Sequence, residues 1–116
     1  MEHLDRFNYN AKILPMFEKA NPNIKVEYIV APQQGANFVH DKEVTMLAAK
    51  DGSIDVFVTD VIWPPEYAAA GWLEPLNQYV GANAAEVMKP YLPVYSQANV
   101  IDGKIAAMPA FADAMF

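Results

Sequence analysis

The segment over residues 54–76 restricts the fold of this chain more than any other part. It reads IDVFVTDVIWPPEYAAAGWLEPL, and its residues 55–59 form a short apolar run. Such a run predicts a strand buried on both faces, which is typical of the middle of a parallel sheet covered by helices. The strand is expected to end at Asp60. Pro64 then favours the first turn of a helix, and Gly71 favours the left-handed residue that ends it.

The remainder of the chain alternates between helix and strand patterns. Apolar side chains at spacings of three and four predict a helix over residues 2–20, with a kink at Pro15. Alternating apolar and polar residues over 24–31 predict a strand. The later elements predicted in chain order are a helix over 36–49, a helix or turn over 76–80, a helix over 84–98 broken at Pro90 and Pro93, a turn at Asp102-Gly103, and a strand over 104–110.

This order of elements predicts an α/β fold in a single partial domain over residues 1–116. Helices between strands imply crossover connections, so the three strands are expected to run mainly parallel. No strand pattern precedes the first helix, and the chain stops soon after the third strand. A three-stranded sheet with two open edges is small for this length. We therefore expect a fragment whose edges are covered by a second copy, in a homo-oligomer.

Charge and composition exclude several classes of function. The 14 acidic residues outnumber the 8 basic ones and give a net charge of −6, whereas binding of nucleic acid needs a basic face. The absence of cysteine excludes disulfides and thiol chemistry. No apolar run is long enough to cross a bilayer. The first residues lack the pattern of a signal peptide, so we expect either a cytosolic protein or an exported one whose leader was removed.

Polar and aromatic residues follow the ends of the three predicted strands. The carboxyl ends of parallel strands meet at one edge of a sheet, where ligands of open α/β proteins bind. A carboxylate can accept hydrogen bonds from two hydroxyl groups and an indole offers a flat face, so the pair favours a sugar as ligand. The candidate ligand-binding residues at this edge are Gln33, Gln34, Asp60, Trp63, Phe111 and Asp113.

Each candidate also has a structural interpretation. Asp60 can cap the helix that begins at Pro64 or the turn before it, and Trp63 can be a core ring under that helix. Asp113 can be a solvated loop acid. The alternatives for the other candidates are loop amides at Gln33 and Gln34 and a core residue at Phe111, while Trp72 and Tyr67 are expected to pack in the core. His3 and His40 have no acids at ligand spacing, so neither a metal site nor a cofactor is expected.

Four segments together resemble a known family. They are, in chain order, FEKANPNIKV over 17–26, the strand and acid over 55–60, GWLEPL over 71–76, and the turn at Asp102-Gly103-Lys104 that leads to MPAFAD over 108–113. Their sequence and order are similar to the start of bacterial extracellular solute-binding proteins of the carbohydrate class. These are the sugar receptors of ABC importers, such as the maltose- and trehalose-binding proteins. The resemblance covers nearly the whole chain.

The resemblance implies two α/β lobes joined by a hinge, with a sugar or oligosaccharide bound in the cleft between them. The chain would be the first part of the first lobe of this periplasmic-binding-protein fold, with the opening strand, the hinge and the second lobe absent. The resemblance also implies a sugar contact for Asp113, a membrane permease as partner, and a periplasmic or extracellular location. A membrane-anchored lipoprotein is one form that the full-length protein can take.

We expect a binding protein rather than an enzyme. The sequence lacks the G-x-S-x-G elbow, the phosphate loop, the dinucleotide fingerprint and the H-E-x-x-H motif. Asp60 and Asp113 could in principle flank a glycosidic bond as acid and base, but a receptor must release its sugar intact. The alternative from a different class is a self-associating fragment, exchanging strands or segments, that binds no ligand of its own.

Overall fold

The computed structural model describes residues 8–30, 35–81 and 83–110. The chain divides into two compact units, Met1–Val39 and His40–Phe116. No helix in the described ranges is long and apolar enough to cross a membrane. The elements are, in chain order, a π-helical segment Tyr9–Ile13, the helices α1 Leu14–Ala20, α2 Ala36–Ala48, α3 Pro64–Ala69, α4 Asn77–Val80, α5 Ala84–Met88 and α6 Pro93–Asn99, and the strands β1 Val100–Ile101 and β2 Lys104–Ile105.

The first unit contains the helical segment that the sequence predicts around Pro15. Proline lacks the N–H that would donate one turn back, so it is best tolerated at the start of a helix. The structure places Pro15 in the first turn of α1, directly after the wider π-helical segment. At the other end, the N–H and the side-chain Nδ2 of Asn21 both donate to the carbonyl of Phe17, at 2.9 Å and 3.0 Å. The predicted helix end at Ala20 is therefore confirmed.

The strand predicted over residues 24–31 is absent from its described part, residues 24–30. The N–H of Val26 donates to a carboxylate oxygen of Glu18 at 2.9 Å instead of to a neighbouring strand. The ammonium of Lys25 lies 3.4 Å from the other oxygen of that carboxylate. The Glu18 side chain on α1 thus bonds to a backbone group that a neighbouring strand would otherwise use. A strand forms only when its backbone groups pair with those of a second strand, and none among the described residues does so here.

The strand predicted over residues 55–59 is also absent. Val56 is 82% exposed, so the apolar run is not covered in the way that a central strand would be. The prediction of three mainly parallel strands is therefore not confirmed, and the described part of the chain is mostly helical. The apolar pattern identifies a segment that can be buried, but it does not supply the partner that would bury it.

Within the described residues, the sheet consists of one short β-hairpin. β1 and β2 pair antiparallel, with Val100 opposite Ile105. Asp102 and Gly103 connect them with φ angles of 51° and 76°, the positive values that a two-residue hairpin turn of type I′ needs. The predicted turn and the strand start at Lys104 are thus confirmed. The predicted strand length, 104–110, is wrong, because β2 ends at Ile105, and a two-residue turn allows only antiparallel pairing.

Buried residues are concentrated in the second unit. Tyr67 and Ile105 have no exposed surface, and Met88 is 4% exposed. Two polar side chains, Glu43 and Asn99, are buried as well. In the described part of the first unit, by contrast, no residue is buried. Tyr67 lies on α3, directly after the turn that carries two of the candidate ligand-binding residues, so the helix that follows this turn is anchored by a buried residue.

Candidate functional site

Asp60 and Trp63 are brought together by a turn immediately before α3. The backbone carbonyl of Asp60 accepts from the N–H of Trp63 at 3.2 Å. The Oδ1 atom of Asp60 accepts from the N–H of Ile62, also at 3.2 Å. One carboxylate oxygen therefore stabilises the turn, which is the second of the two structural roles considered for this residue. Asp60 is exposed, and its Oδ2 atom has no hydrogen bond within the described part of the chain.

The indole of Trp63 is half-buried against two other rings. Its centroid lies 5.1 Å from that of the His40 ring on α2, at an interplanar angle of 56°. It lies 6.5 Å from the ring of Tyr67 on α3, at 41°. Both separations are in the range in which tilted aromatic rings attract one another. Trp63 is thus neither fully in the core nor fully free, and part of the indole remains open to solvent.

His40 connects α2 to α3 through a hydrogen bond that becomes an ion pair when the imidazole is protonated. Its Nε2 atom lies 2.8 Å from a carboxylate oxygen of Glu66, and its Nδ1 atom lies 3.6 Å from a carboxylate oxygen of Asp41. The imidazole also stacks on Tyr67, with centroids 6.0 Å apart and an interplanar angle of 19°. The pKa of His40 is raised above its ordinary 6.5, chiefly by the hydrogen bond to Glu66, whereas partial burial acts in the opposite direction.

Glu43 and Tyr67 form a second link between the same two helices. The phenol of Tyr67 donates to a carboxylate oxygen of Glu43 at 3.0 Å, and both residues are buried. Burial raises the pKa of Glu43, while the hydrogen bond from Tyr67 and the charge of His40 partly oppose this. Burial also raises the pKa of Tyr67, and the hydrogen bond to Glu43 adds to the effect. The phenol therefore stays protonated and available as a donor.

These five side chains, His40, Glu43, Trp63, Glu66 and Tyr67, are called here the α2–α3 cluster. From the sequence, Tyr67 is predicted to pack in the core and His40 to have no acidic partner at ligand spacing, and neither glutamate is predicted as a site residue. A signal was present, because His40 and Glu43 are three residues apart on α2. Trp63, Glu66 and Tyr67 have the corresponding spacing of three and four on the next helix. In each set the spacing puts the side chains on one face of a helix, and two such faces with complementary donors and acceptors favour a contact between the helices.

The remaining candidates lie outside the described residues. These are Gln33, Gln34, Phe111 and Asp113. Trp72, which is expected in the core, is only half-buried, and its ring centroid lies 6.0 Å from that of Tyr67. A shallow depression of about 260 Å³, lined by residues 20–24, contains none of the candidate residues. Among the described residues, no group of three or more histidine or acidic side chains is placed to hold a metal ion.

The chain belongs to the family of bacterial extracellular solute-binding proteins, whose model matches residues 5–107. This agrees with the resemblance drawn from the four sequence segments. The match includes the turn at Asp60, the α2–α3 cluster and the hairpin. No solved structure matches the chain.

Three curated relatives are similar to parts of the chain. An uncharacterized protein in the bglA 3′ region of Thermotoga maritima is 44% identical over 57 residues, which are 49% of this chain and 57% of the relative. The mannitol-binding protein of Pseudomonas aeruginosa is 24% identical over 103 residues, 89% of this chain and 22% of that protein. A probable ABC transporter-binding protein of Deinococcus radiodurans is 40% identical over 68 residues, 59% of this chain and 15% of that protein. The matched regions thus cover between 15% and 57% of these relatives.

Proposed function

We propose that this chain is the N-terminal part of the solute-binding component of an ABC importer, and that the complete protein binds a sugar or oligosaccharide between two lobes. Membership of the solute-binding family supports the receptor role. The name of the Pseudomonas relative, a mannitol-binding protein, supports a ligand rich in hydroxyl groups. The observation that carries the proposal is the hydrogen-bonded turn at residues 60–63, which carries an exposed carboxylate at one end and a half-buried indole at the other.

Asp60 and Trp63 have complementary roles in this proposal. The Oδ2 atom of Asp60 accepts from ligand hydroxyl groups, while Oδ1 keeps the turn in place. The solvent-exposed part of the indole stacks on the apolar face of a sugar ring. Gln33, Gln34, Phe111 and Asp113 supply further contacts in the complete site. No bond is made or broken in this scheme, so the protein is a receptor and not an enzyme.

Residues 24–31 and 55–59 are parallel strands in the complete first lobe, where neighbouring strands supply the partners that these segments lack in the described structure. Ligand binding shifts a hinge equilibrium towards the closed form, which is delivered to a membrane permease. The location that fits this role is periplasmic or extracellular.

Calorimetric titration with mannitol, maltose and trehalose tests the proposed ligand class. The complete protein that contains this chain should bind at least one of them. Replacing Asp60→Asn should weaken binding about 10- to 100-fold, because a hydrogen bond to a charged group contributes about 1.5–3 kcal/mol. Asp55→Asn is the matched control, since Asp55 is an exposed acid in the same segment and should leave affinity unchanged. Failure of mannitol and of both disaccharides to bind, or equal losses of affinity in both variants, would contradict the proposal.

Self-association remains the alternative, and one observation favours it. Val56, Val61 and Ile62 are 82%, 53% and 72% exposed and lie close together along the chain. Exposed apolar side chains grouped in this way mark places where another surface binds. Sedimentation at several concentrations tests it. A dimer that is lost on Val56→Lys supports self-association, whereas a monomer at every concentration contradicts it.

A further inference from the structure

The imidazole of His40 makes two contacts that depend on its charge, one with Glu66 in the first turn of α3 and one with the indole of Trp63 just before it. The first is the hydrogen bond between Nε2 and Glu66, which is an ion pair when the imidazole is protonated. The second is the ring contact with Trp63, at a centroid separation of 5.1 Å. This is within the roughly 6 Å over which a cation is attracted to an indole. The neutral ring keeps its shape but loses the ion pair and the attraction of a cation to the indole.

Both contacts act on the same short helix. Trp63 precedes the first turn of α3, and Glu66 lies in that turn. A protonated His40 therefore attracts two neighbouring points on α3, one through a carboxylate and one through an aromatic ring. The ring of Tyr67 stacks on the imidazole as well, which adds a third contact between His40 and this part of the chain. The exposed fraction of the His40 side chain is 25%, so protons can reach it from solvent.

We infer that His40 is a pH-sensitive positioning residue that fixes the Trp63 indole when protonated and releases it when neutral, so that ligands stacking on Trp63 bind more tightly at mildly acidic pH. The part that concerns ligands rests on the proposed sugar-binding function. The part that concerns the indole does not, because it describes the free protein. A ring that is already fixed loses less conformational freedom on binding, which is the physical basis of the expected gain in affinity.

The charged groups around His40 all favour its protonated form. These are Asp41 and Glu43 on α2 and Glu66 on α3, whereas the phenol of Tyr67, which also faces the imidazole from α3, is neutral. The pKa of His40 is consequently raised in the folded protein. The contacts of the imidazolium are fully present below the ordinary histidine pKa of 6.5 and are lost as the pH rises through the higher folded value.

Fluorescence of the 116-residue chain tests the inference without any ligand. The chain has two tryptophans, so Trp72→Phe leaves Trp63 as the one indole. A protonated imidazole quenches an indole that it contacts. Between pH 5 and pH 9, emission should therefore rise in one step as His40 loses its proton. Glu66→Gln should move the midpoint to lower pH, because it removes the main cause of the raised pKa. His40→Gln should remove the step.

Matched controls separate this effect from general changes in the protein. Glu86→Gln removes an acid from the first turn of another short helix, α5, and should leave the midpoint unchanged. His3→Gln removes the other histidine of the chain and should do the same. Glu43→Gln should keep the step, which excludes the buried acid as its source. If His40→Gln fails to fold, the midpoint in Glu66→Gln decides. A step that survives in His40→Gln, or an unchanged midpoint in Glu66→Gln, would overturn the inference.

Calorimetry on the complete protein tests the consequence for ligands. Affinity for whichever of mannitol, maltose and trehalose binds should fall as the pH rises from 6 to 8. In His40→Gln the affinity should be the same across this range. A pH-independent affinity in the unmodified protein would overturn the ligand part of the inference. If neither mannitol nor either disaccharide binds, the proposed ligand class is wrong, whereas the fluorescence step still decides the role of His40.

Discussion

The second unit contains two buried regions that hold the chain together by different chemistry. In the α2–α3 cluster, the links between elements are formed by a histidine, two glutamates and a tyrosine. At the hairpin, the links are formed by amides and backbone groups. Each region is centred on one residue without exposed surface, Tyr67 in the first and Ile105 in the second. The two regions therefore bury their central residues equally well but differ in which groups satisfy hydrogen bonds.

Asn77 is the main polar contact of the hairpin region. Its side-chain oxygen accepts from the N–H of Ile105 at 2.8 Å, and its Nδ2 donates to the carbonyl of Gly103 at 3.1 Å. The carbonyl of Ile105 in turn accepts from the N–H of Leu76 at 3.0 Å. An amide has no proton to gain or lose near neutral pH, so these bonds are the same at pH 5 and pH 8.

The difference shows what each region can do. The hairpin provides a fixed attachment because its bonds do not respond to pH. The α2–α3 cluster can change with pH because its hydrogen bonds include groups that titrate, and it lies beside the turn proposed to bind ligand. Variants in the two regions should therefore differ in the size of their effect on stability and in how that effect depends on pH.

Removing the Tyr67 ring should have the largest effect. Tyr67→Ala should destabilise the second unit by about 3–5 kcal/mol, since it deletes a fully buried ring. Tyr79→Ala is the matched control, because Tyr79 also donates to a glutamate but is 67% exposed, and it should cost less than about 1 kcal/mol. Urea unfolding followed by circular dichroism measures both. Equal losses would mean that burial of Tyr67 does not stabilise this region.

Removing the amide of Asn77 should have the next largest effect. Asn77→Ala leaves the partly buried N–H of Ile105 without its acceptor and should cost about 1–3 kcal/mol. The loss should be constant between pH 5 and pH 8, because no titrating group is involved. Asn23→Ala, at an exposed asparagine in a loop, is the control and should be near neutral. A loss that changes with pH would remove the distinction between the two regions.

Gly103→Ala should have a smaller effect that arises from the backbone alone. Gly103 has a φ of 76°, and an added Cβ would meet no atom within 4 Å. The expected cost is therefore the strain of a left-handed residue, about 1–2 kcal/mol. Gly52→Ala is the control, because its Cβ also meets open space and its φ is not in the left-handed region. Thermal unfolding measures the stability of both variants. A larger loss of stability in Gly52→Ala than in Gly103→Ala would contradict the assignment of the cost to the left-handed φ of Gly103.

Glu43→Gln should have the smallest effect at any one pH, but it should change how stability depends on pH. The pKa of Glu43 is raised in the folded protein. Its contribution to stability is therefore full below pH 4.5, the ordinary glutamate pKa, and is lost as the pH rises through the higher pKa of the folded protein. Near pH 7 the glutamine variant should be the more stable by less than about 1 kcal/mol, the size of one net hydrogen bond. Near pH 5 the difference should shrink. Urea unfolding at both values tests this, and a difference that grows on acidification would be the contrary result.

Features fixed by neighbouring residues could be predicted from the sequence. Pro64 begins α3 and Gly71 has a φ of 73° just after it ends. Pro93 starts α6 after the predicted break, and Asp102-Gly103 forms the hairpin turn. In each case the conformational limits of proline or the freedom of glycine act locally, without any distant partner.

Contacts between distant residues could not be predicted in the same way. His40 and Glu66 are 26 residues apart, and Glu43 and Tyr67 are 24 apart. A pattern of apolar residues indicates that a surface is buried but does not identify what buries it. The same limitation explains why the strand predictions over 24–31 and 55–59 are not confirmed. The apolar patterns are present in these segments, but a strand also needs a neighbouring strand, which a pattern does not provide. Of the proposed site, the sequence identified Asp60 and Trp63 but not the cluster that surrounds Trp63.

The contact between Glu18 and Val26 has a consequence for how the first unit assembles with other chains. The carboxylate occupies a backbone N–H that any incoming strand would have to use, so it acts as an internal competitor of sheet formation. The hydrogen bond from Val26 lowers the pKa of Glu18. The carboxylate therefore keeps this bond fully above pH 4.5, the ordinary glutamate pKa, and loses it as the pH falls through the lower pKa of the folded protein. Strong acid should expose this edge, and replacing Glu18 with alanine should expose it at every pH.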